Sequence, residues 1–157
     1  MENNQTQKVT PFLMFNNNLE EAVNLYASVF KNFKVLNKRH MGEGGKMFTA
    51  TFEIEGQKLM AFDGGPSFEF SEAISLFVDC TTQDEVDELW EKLSAGGERS
   101  RCGWLKDRCG VSWQVIPKTL MKLLSDPDPV KSGRVMNAMM QMGKIEIKGL
   151  QDAYDGK

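Results

Sequence analysis

Side chains able to carry acid–base, nucleophilic or metal chemistry are few in this chain of 157 residues. It has one histidine, His40, and three cysteines, Cys80, Cys102 and Cys109. His40 stands between Arg39 and Met41 with no acid partner near it in sequence, so a solvated edge or a subunit contact is the expected role ahead of general-base catalysis. Cys102 and Cys109 flank a hairpin and could approach one another, but their spacing matches neither a zinc motif nor a CxxC redox pair. Glu53 and Asp63 could act as bases if buried, although both fall at strand ends where solvation is usual. Asp107 is expected to shape the turn before Gly110. Zinc fingers and histidine-rich metal centres are therefore excluded.

Composition narrows the partners. The 19 basic and 22 acidic residues give a net charge of −3, and the pI is near 5.3. Such a chain lacks the positive charge that phosphate-backbone binding requires, so nucleic acid is not an expected partner. No apolar run approaches the ~18 residues of a membrane span, so no membrane partner is expected either. The opening MENNQTQKVT has neither a basic nor an apolar region of a signal peptide. With an odd cysteine count, this points to reduced thiols and a cytoplasmic location. A chain of this length buries enough surface to fold without disulfides or a structural metal.

The elements that position these residues follow from periodicity. Residues 11–15, Pro-Phe-Leu-Met-Phe, read as a buried strand. Asn18 and Glu21 then resemble a capping box, and Leu19, Ala22, Val23, Tyr26, Val29 and Phe30 repeat at helical spacing. Strands are predicted over 34–41, 46–54 and 57–62, with Phe48, Ala50, Phe52 and Ile54 on one face of the middle one.

The order then recurs. A strand is predicted over 74–80, a capping box at Thr82 and Glu85, and a helix with the stripe Val86, Leu89, Trp90 and Leu93. Strands over 99–105 and 111–116 follow. An offset of 63 residues places Phe12 on Ser75, Phe15 on Val78 and Tyr26 on Leu89; at the last hairpin the offset is 54, placing Gly56 on Gly110 and Met60 on Gln114. The chain is thus an α+β internal duplication of two βαβββ modules, which are expected to pair across one cavity. The expected organisation is a single domain with a first module over 9–63, a linker over 64–72, a second module over 73–117 and a helical extension over 118–157. Phe68 and Phe70 in the linker either act as a lid over the cavity mouth or seal the junction between modules. Helices are predicted over 118–125, 130–142 and 146–154. Met136, Met139 and Met140 share one face of the second, which suits packing or a subunit contact.

Three segments carry a family resemblance. They are Pro11-Phe12-Leu13-Met14-Phe15 leading into Glu20-Glu21-Ala22-Val23-Asn24-Leu25-Tyr26, the linker Gly64-Gly65-Pro66-Ser67-Phe68-Glu69-Phe70, and the block running from Cys102-Gly103-Trp104-Leu105-Lys106-Asp107 to Gly110-Val111-Ser112-Trp113-Gln114-Val115-Ile116-Pro117. In these the chain resembles the PhnB-like branch of the vicinal oxygen chelate superfamily, also called the glyoxalase/bleomycin-resistance/dioxygenase superfamily. Members often carry the description 3-demethylubiquinone-9 3-methyltransferase domain. The resemblance implies a cupped mixed sheet built from both modules, commonly in a homodimer.

It also implies where a metal would stand. Superfamily enzymes hold a divalent ion through His or Gln and Glu near the start of the first strand and late in the last strand of each module. Carried onto this chain, those positions are Phe12, Met60, Ser75 and Gln114. A phenyl ring, a thioether, a neutral hydroxyl and one amide oxygen make a poor donor set for Mg²⁺, Mn²⁺ or Zn²⁺, so no metal and no other cofactor is expected. The resulting pocket has apolar walls from Phe12, Met60 and Trp113 or Trp104, with polar groups at Gln114 and Ser75. It suits a small, partly apolar organic ligand. The enzyme alternative is a lyase, isomerase or dioxygenase of the superfamily, with or without a metal placed elsewhere. A third class is a sequestering protein that binds without turnover. Methyl transfer finds no support, because Gly42-Glu43-Gly44-Gly45 joins two strands and Gly64-Gly65 precedes a proline. Neither is the strand-to-helix turn that cradles a nucleotide-like donor.

Overall fold

The computed structural model describes residues 7–157, so of the ten residues read for a leader, 1–6 lie outside the described part. Two compact units divide the chain, Met1–Glu69 and Phe70–Lys157, with the boundary inside the segment predicted as the linker.

Unit 1 runs β1 (Phe12–Phe15), α1 (Leu19–Val29), β2 (Phe33–His40), β3 (Met47–Ile54) and β4 (Gln57–Asp63). The sheet order is β1-β4-β3-β2, with β1 parallel to β4 and the other pairs antiparallel. Alternation along the strands divides the residues by face. Leu13, Phe15, Ala50, Phe52, Ile54, Leu59 and Ala61 are buried together with Leu19, Ala22, Val23, Leu25, Tyr26 and Val29 of α1. Phe48 departs from the predicted face. A register shift between Arg39 and His40 on the neighbouring strand gives Met47 the buried place, and Phe48 stands half-buried, edge-on to Phe62 at 6.4 Å.

The Asn18 half of the first capping box is corrected as well. No side-chain hydrogen bond from Asn18 caps α1; its Oδ1 accepts instead from the Asn16 N–H at 3.2 Å. The carboxylate that serves the helix start is Asp63, at the end of β4. It accepts the Asn17 N–H at 2.6 Å and the Leu19 N–H at 3.4 Å, and it pairs with Lys46 at 3.2 Å.

Unit 2 runs β5 (Leu76–Cys80), α2 (Gln83–Ser94), β6 (Glu98–Arg99), β7 (Trp104–Lys106), β8 (Ser112–Pro117), α3 (Lys118–Leu124), α4 (Pro129–Met140) and α5 (Ile147–Asp155). Its sheet, β5-β8-β7-β6, repeats the order of the first with β5 parallel to β8. The strand predicted over 99–105 is two short strands. Between them Cys102 (φ 58) and Gly103 (φ 81) both take the left-handed conformation, and the Trp104 N–H closes onto the Arg101 carbonyl at 3.0 Å. This is the pattern of a type I′ hairpin, which favours glycine at the second place. The Thr82 half of the second capping box forms, with Thr82 Oγ1 accepting from the Glu85 N–H at 3.2 Å, while Glu85 reaches one residue further back and accepts the Thr81 N–H at 2.6 Å.

The helical extension belongs to unit 2. Leu120, Leu123, Val135, Ile145 and Leu150 bury against Ile116 of β8. The chain between α4 and α5 is tied to the hairpin turn, with the Cys102 and Gly103 N–H groups donating to the carbonyls of Met142 and Gly143, each at 2.8 Å. The predicted methionine face is split: Met139 packs on this core, whereas Met136 and Met140 are exposed.

Asp63→Ala removes the acceptor of two backbone N–H groups at the start of α1 and one of the two partners of Lys46. It should cost about 1–3 kcal/mol in denaturant unfolding, and more than Asn18→Ala. Equal losses from the two variants would refute the assignment of Asp63 as the capping group.

Candidate ligand-binding faces

In each unit one sheet face packs on α1 or α2, and the other carries the predicted site residues other than Trp113. In unit 1, Phe12 and Met60 are direct partners across the parallel pair β1–β4, and Thr51 stands opposite Met60 on β3. Phe12 is 52% exposed and Met60 39%. The row is uncharged, with the Thr51 hydroxyl as its polar group. Near the ends of the same strands, Met14, Phe62 and Phe68 crowd round Gly64, each with an atom 3.1–3.2 Å from where a Cβ would stand. The Phe68 N–H donates to Asn16 Oδ1 at 3.0 Å. Phe70 belongs to the other unit, where its ring lies 3.6 Å from the Cβ position of Gly110. Phe68 and Phe70, read either as a lid or as a junction seal, thus each make a contact within their own unit.

In unit 2 the equivalent row lies across three strands. Gln114 on β8 stands opposite Phe77 on β5 and opposite Trp104 on β7. Sequence comparison placed Ser75 in the first of these positions, and register places Phe77 there, at an offset of 65 residues from Phe12. Ser75 still joins the site, because Gln114 Nε2 donates to its Oγ at 2.9 Å. Phe77 is 49% exposed, whereas Gln114, Trp104 and Ser75 are half-buried. Two residues along β8 in one direction, Ile116 is covered by the helical extension. Two residues in the other, Ser112 is 2% exposed and its Oγ has no hydrogen-bond partner.

Trp113 is not a wall residue. It is 2% exposed, on the opposite side of β8, and its indole N–H donates to Asp107 Oδ2 at 2.9 Å. The other oxygen of Asp107 accepts the N–H groups of Cys109 and Val111 at 2.9 and 3.1 Å. This carboxylate, itself 2% exposed, holds the turn and fixes the tryptophan.

Trp104 also lines a cleft of about 450 Å³ that follows the β6–β7 hairpin, with Glu72, Glu98, Arg99, Arg101, Cys102 and Lys106 among its walls. Its charges nearly balance. Arg99 is already held by Glu91 at 2.5 Å and Ser94 at 2.9 Å, with Trp90 beneath it, and Glu98 stands opposite Lys106 across the strands.

The remaining chemically capable residues are dispersed. His40 is exposed at the end of edge strand β2, and Glu53 faces Lys58 across β3 and β4. Cys80 is fully buried; desolvation, with Glu85 and Asp79 nearby, pushes its thiol up to about 12. All three cysteines are free. Among the described residues no three His, Cys, Asp or Glu side chains gather as a metal site would need. Within neither unit do the rows fit a divalent ion: Phe12, Met60 and Phe77 offer one thioether between them, Ser75 a hydroxyl engaged with Gln114, and Gln114 one neutral oxygen.

Two βαβββ units with parallel first and last strands define the glyoxalase/bleomycin-resistance-like fold of the vicinal oxygen chelate superfamily. Solved structures agree on this fold. The protein PA1353 from Pseudomonas aeruginosa is 23% identical, covering 67% of this chain and 92% of its own, with a TM-score of 0.55. The fosfomycin resistance protein FosX from Listeria monocytogenes, solved with Mn(II) and sulfate, is 16% identical, covering 68% and 88%, with a TM-score of 0.51. The family is narrower. A model described as 3-demethylubiquinone-9 3-methyltransferase matches residues 7–116. A PhnB protein from Bacillus cereus is 36% identical, covering 69% of this chain and 97% of its own, with a TM-score of 0.64. The chain belongs to this PhnB-like family. Among curated proteins no match is found.

Two outcomes follow from the packing. In the native protein, iodoacetamide should modify Cys102 well before Cys80 and Cys109, as peptide mapping would read; equal labelling of all three would refute the buried placement of the latter two. Ser112→Ala removes a buried hydroxyl that has no partner and should raise the unfolding free energy by about 1 kcal/mol, where a loss of that size would show that the hydroxyl is satisfied.

Proposed function

We propose that the protein binds a small, partly apolar organic molecule on the sheet face opposite α1 or α2, and does so without a divalent metal. The observation that carries this reading is the row Phe77, Gln114 and Trp104, two aromatic side chains flanking one amide, with Phe77 half exposed. A few placed polar groups among apolar walls is the usual chemistry of a small-molecule site. The donor inventory of both rows supports a metal-free site, because no oxygen anion or imidazole is within either.

Methyl transfer is not carried over from the family description. The connections from β1 to α1, β5 to α2 and β8 to α3 contain no glycine, so none offers the backbone cradle that a nucleotide-like donor uses. A cytoplasmic setting suits three free thiols. No helix among the described residues is long and apolar enough to cross a membrane.

A thermal-shift screen of aromatic metabolites and divalent metals tests the proposal. At a hundredfold excess over Kd, a true ligand should raise Tm by roughly 5 °C or more, while Mg²⁺, Mn²⁺ and Zn²⁺ leave Tm and ligand affinity unchanged. A stoichiometric metal in the purified protein, whose removal abolishes ligand binding, would overturn the metal-free reading.

A further inference from the structure

The row on β5, β8 and β7 has a geometry that selects among small molecules. Neighbouring strands lie about 4.8 Å apart, so side chains two strands apart on one face stand about 10 Å from each other. Phe77 and Trp104 are such a pair, with Gln114 between them. A third ring midway would lie about 5 Å from each, within the spacing that aromatic pairs prefer. Neither ring stacks on another aromatic side chain among the described residues. The residue between them in register is an amide with hydrogen bonds left to make. A primary amide has two N–H donors and a carbonyl acceptor. One N–H of Gln114 is taken by Ser75 Oγ, and the other N–H and the carbonyl oxygen have no partner among the described residues. No charged side chain stands in the row itself.

We propose that Phe77, Gln114 and Trp104 form a slot for a flat heteroaromatic ring carrying adjacent N–H and C=O groups on one edge. The ring enters edge-first, its faces against Phe77 and Trp104. Its N–H and C=O pair with the free carbonyl and N–H of Gln114, which Ser75 holds in place. Pterin-like and pyrimidinone-like rings have this edge; phosphonates and simple carboxylates do not. The inference rests on the ligand-binding reading above and adds the chemical class.

Calorimetric titration of the full chain with pterin, with tryptophan fluorescence as a second readout, tests the slot. Saturable binding is expected, weakened by about tenfold or more by Phe77→Ala and by Trp104→Ala. Naphthalene-1-sulfonate, flat but without the amide edge, should bind more weakly than pterin. Gln114→Ala should weaken pterin and leave that control unchanged. 2-Piperidone, which has the edge but no aromatic face, should also bind more weakly than pterin. Melting temperatures check that each variant folds, and Phe77→Leu separates loss of the ring from loss of packing. No saturable pterin binding, pterin affinity indifferent to the three variants, or either control binding as tightly as pterin overturns the proposal. If pterin fails while another small molecule still stabilises the protein, only the slot falls. If no small molecule of any class binds, the reading beneath it falls too.

Discussion

In each unit the first strand must find the last one across an intervening helix and hairpin, and it pairs with it in parallel. Almost everything else about the molecule depends on that contact. The pairing of β1 with β4 sets which residues of the first strand stand beside which of the last, and β5 with β8 does the same in the second unit. Because side chains alternate along a strand, the register that puts Leu13, Phe15, Leu59 and Ala61 under α1 also puts Phe12 and Met60 on the other face. The hydrophobic effect fixes the buried set, and the exposed set is determined with it. The site rows are thus a by-product of core formation, held in place by packing that they do not themselves contribute.

Two carboxylates, one of them a candidate base and the other a predicted turn residue, are consumed by this scaffold. Asp63 joins the end of β4 to the start of α1, and Asp107 ties a turn to the indole of Trp113. Each is nearly inaccessible, and each satisfies backbone N–H groups that would otherwise be stranded. What remains on the open rows is aromatic rings, a thioether, hydroxyls and one amide. That residue set favours burial and hydrogen bonding of a ligand over proton transfer or ion coordination.

Much of this was legible in the sequence, for physical reasons that can be named. The helices and most strands follow from periodicity, since an amphipathic stripe has few alternative solutions once its neighbours are strands. The duplicated order followed from the same signal. The errors arose where spacing depends on a single residue. Three asparagines connect β1 to α1 and two threonines connect β5 to α2, so aligning the modules by apolar pattern slipped the first strand and selected Ser75 in place of Phe77. Counting back from the two helix starts would have come within one residue of the correct position. Trp113 and Trp104 could not be separated by composition. Only the pairing of Leu105 with Trp113 and of Trp104 with Gln114 assigns one tryptophan to the core and the other to the open face. The long-range cap from Asp63 was equally invisible, because local capping rules look only a few residues away.

A neutral amide at the centre of the second row is consistent with its neighbours in a way that a carboxylate would not be. Phe77 and Trp104 offer no charge to compensate an anion, and enclosing a carboxylate between two rings would cost desolvation that nothing in the row returns. An amide can be enclosed at much lower cost provided its donors and acceptor find partners. Ser75 supplies one partner within the protein and leaves the others to whatever binds. Gln114 is therefore tolerant of an apolar setting, and in the proposed site its unmet hydrogen bonds would supply discrimination that needs neither metal nor charge.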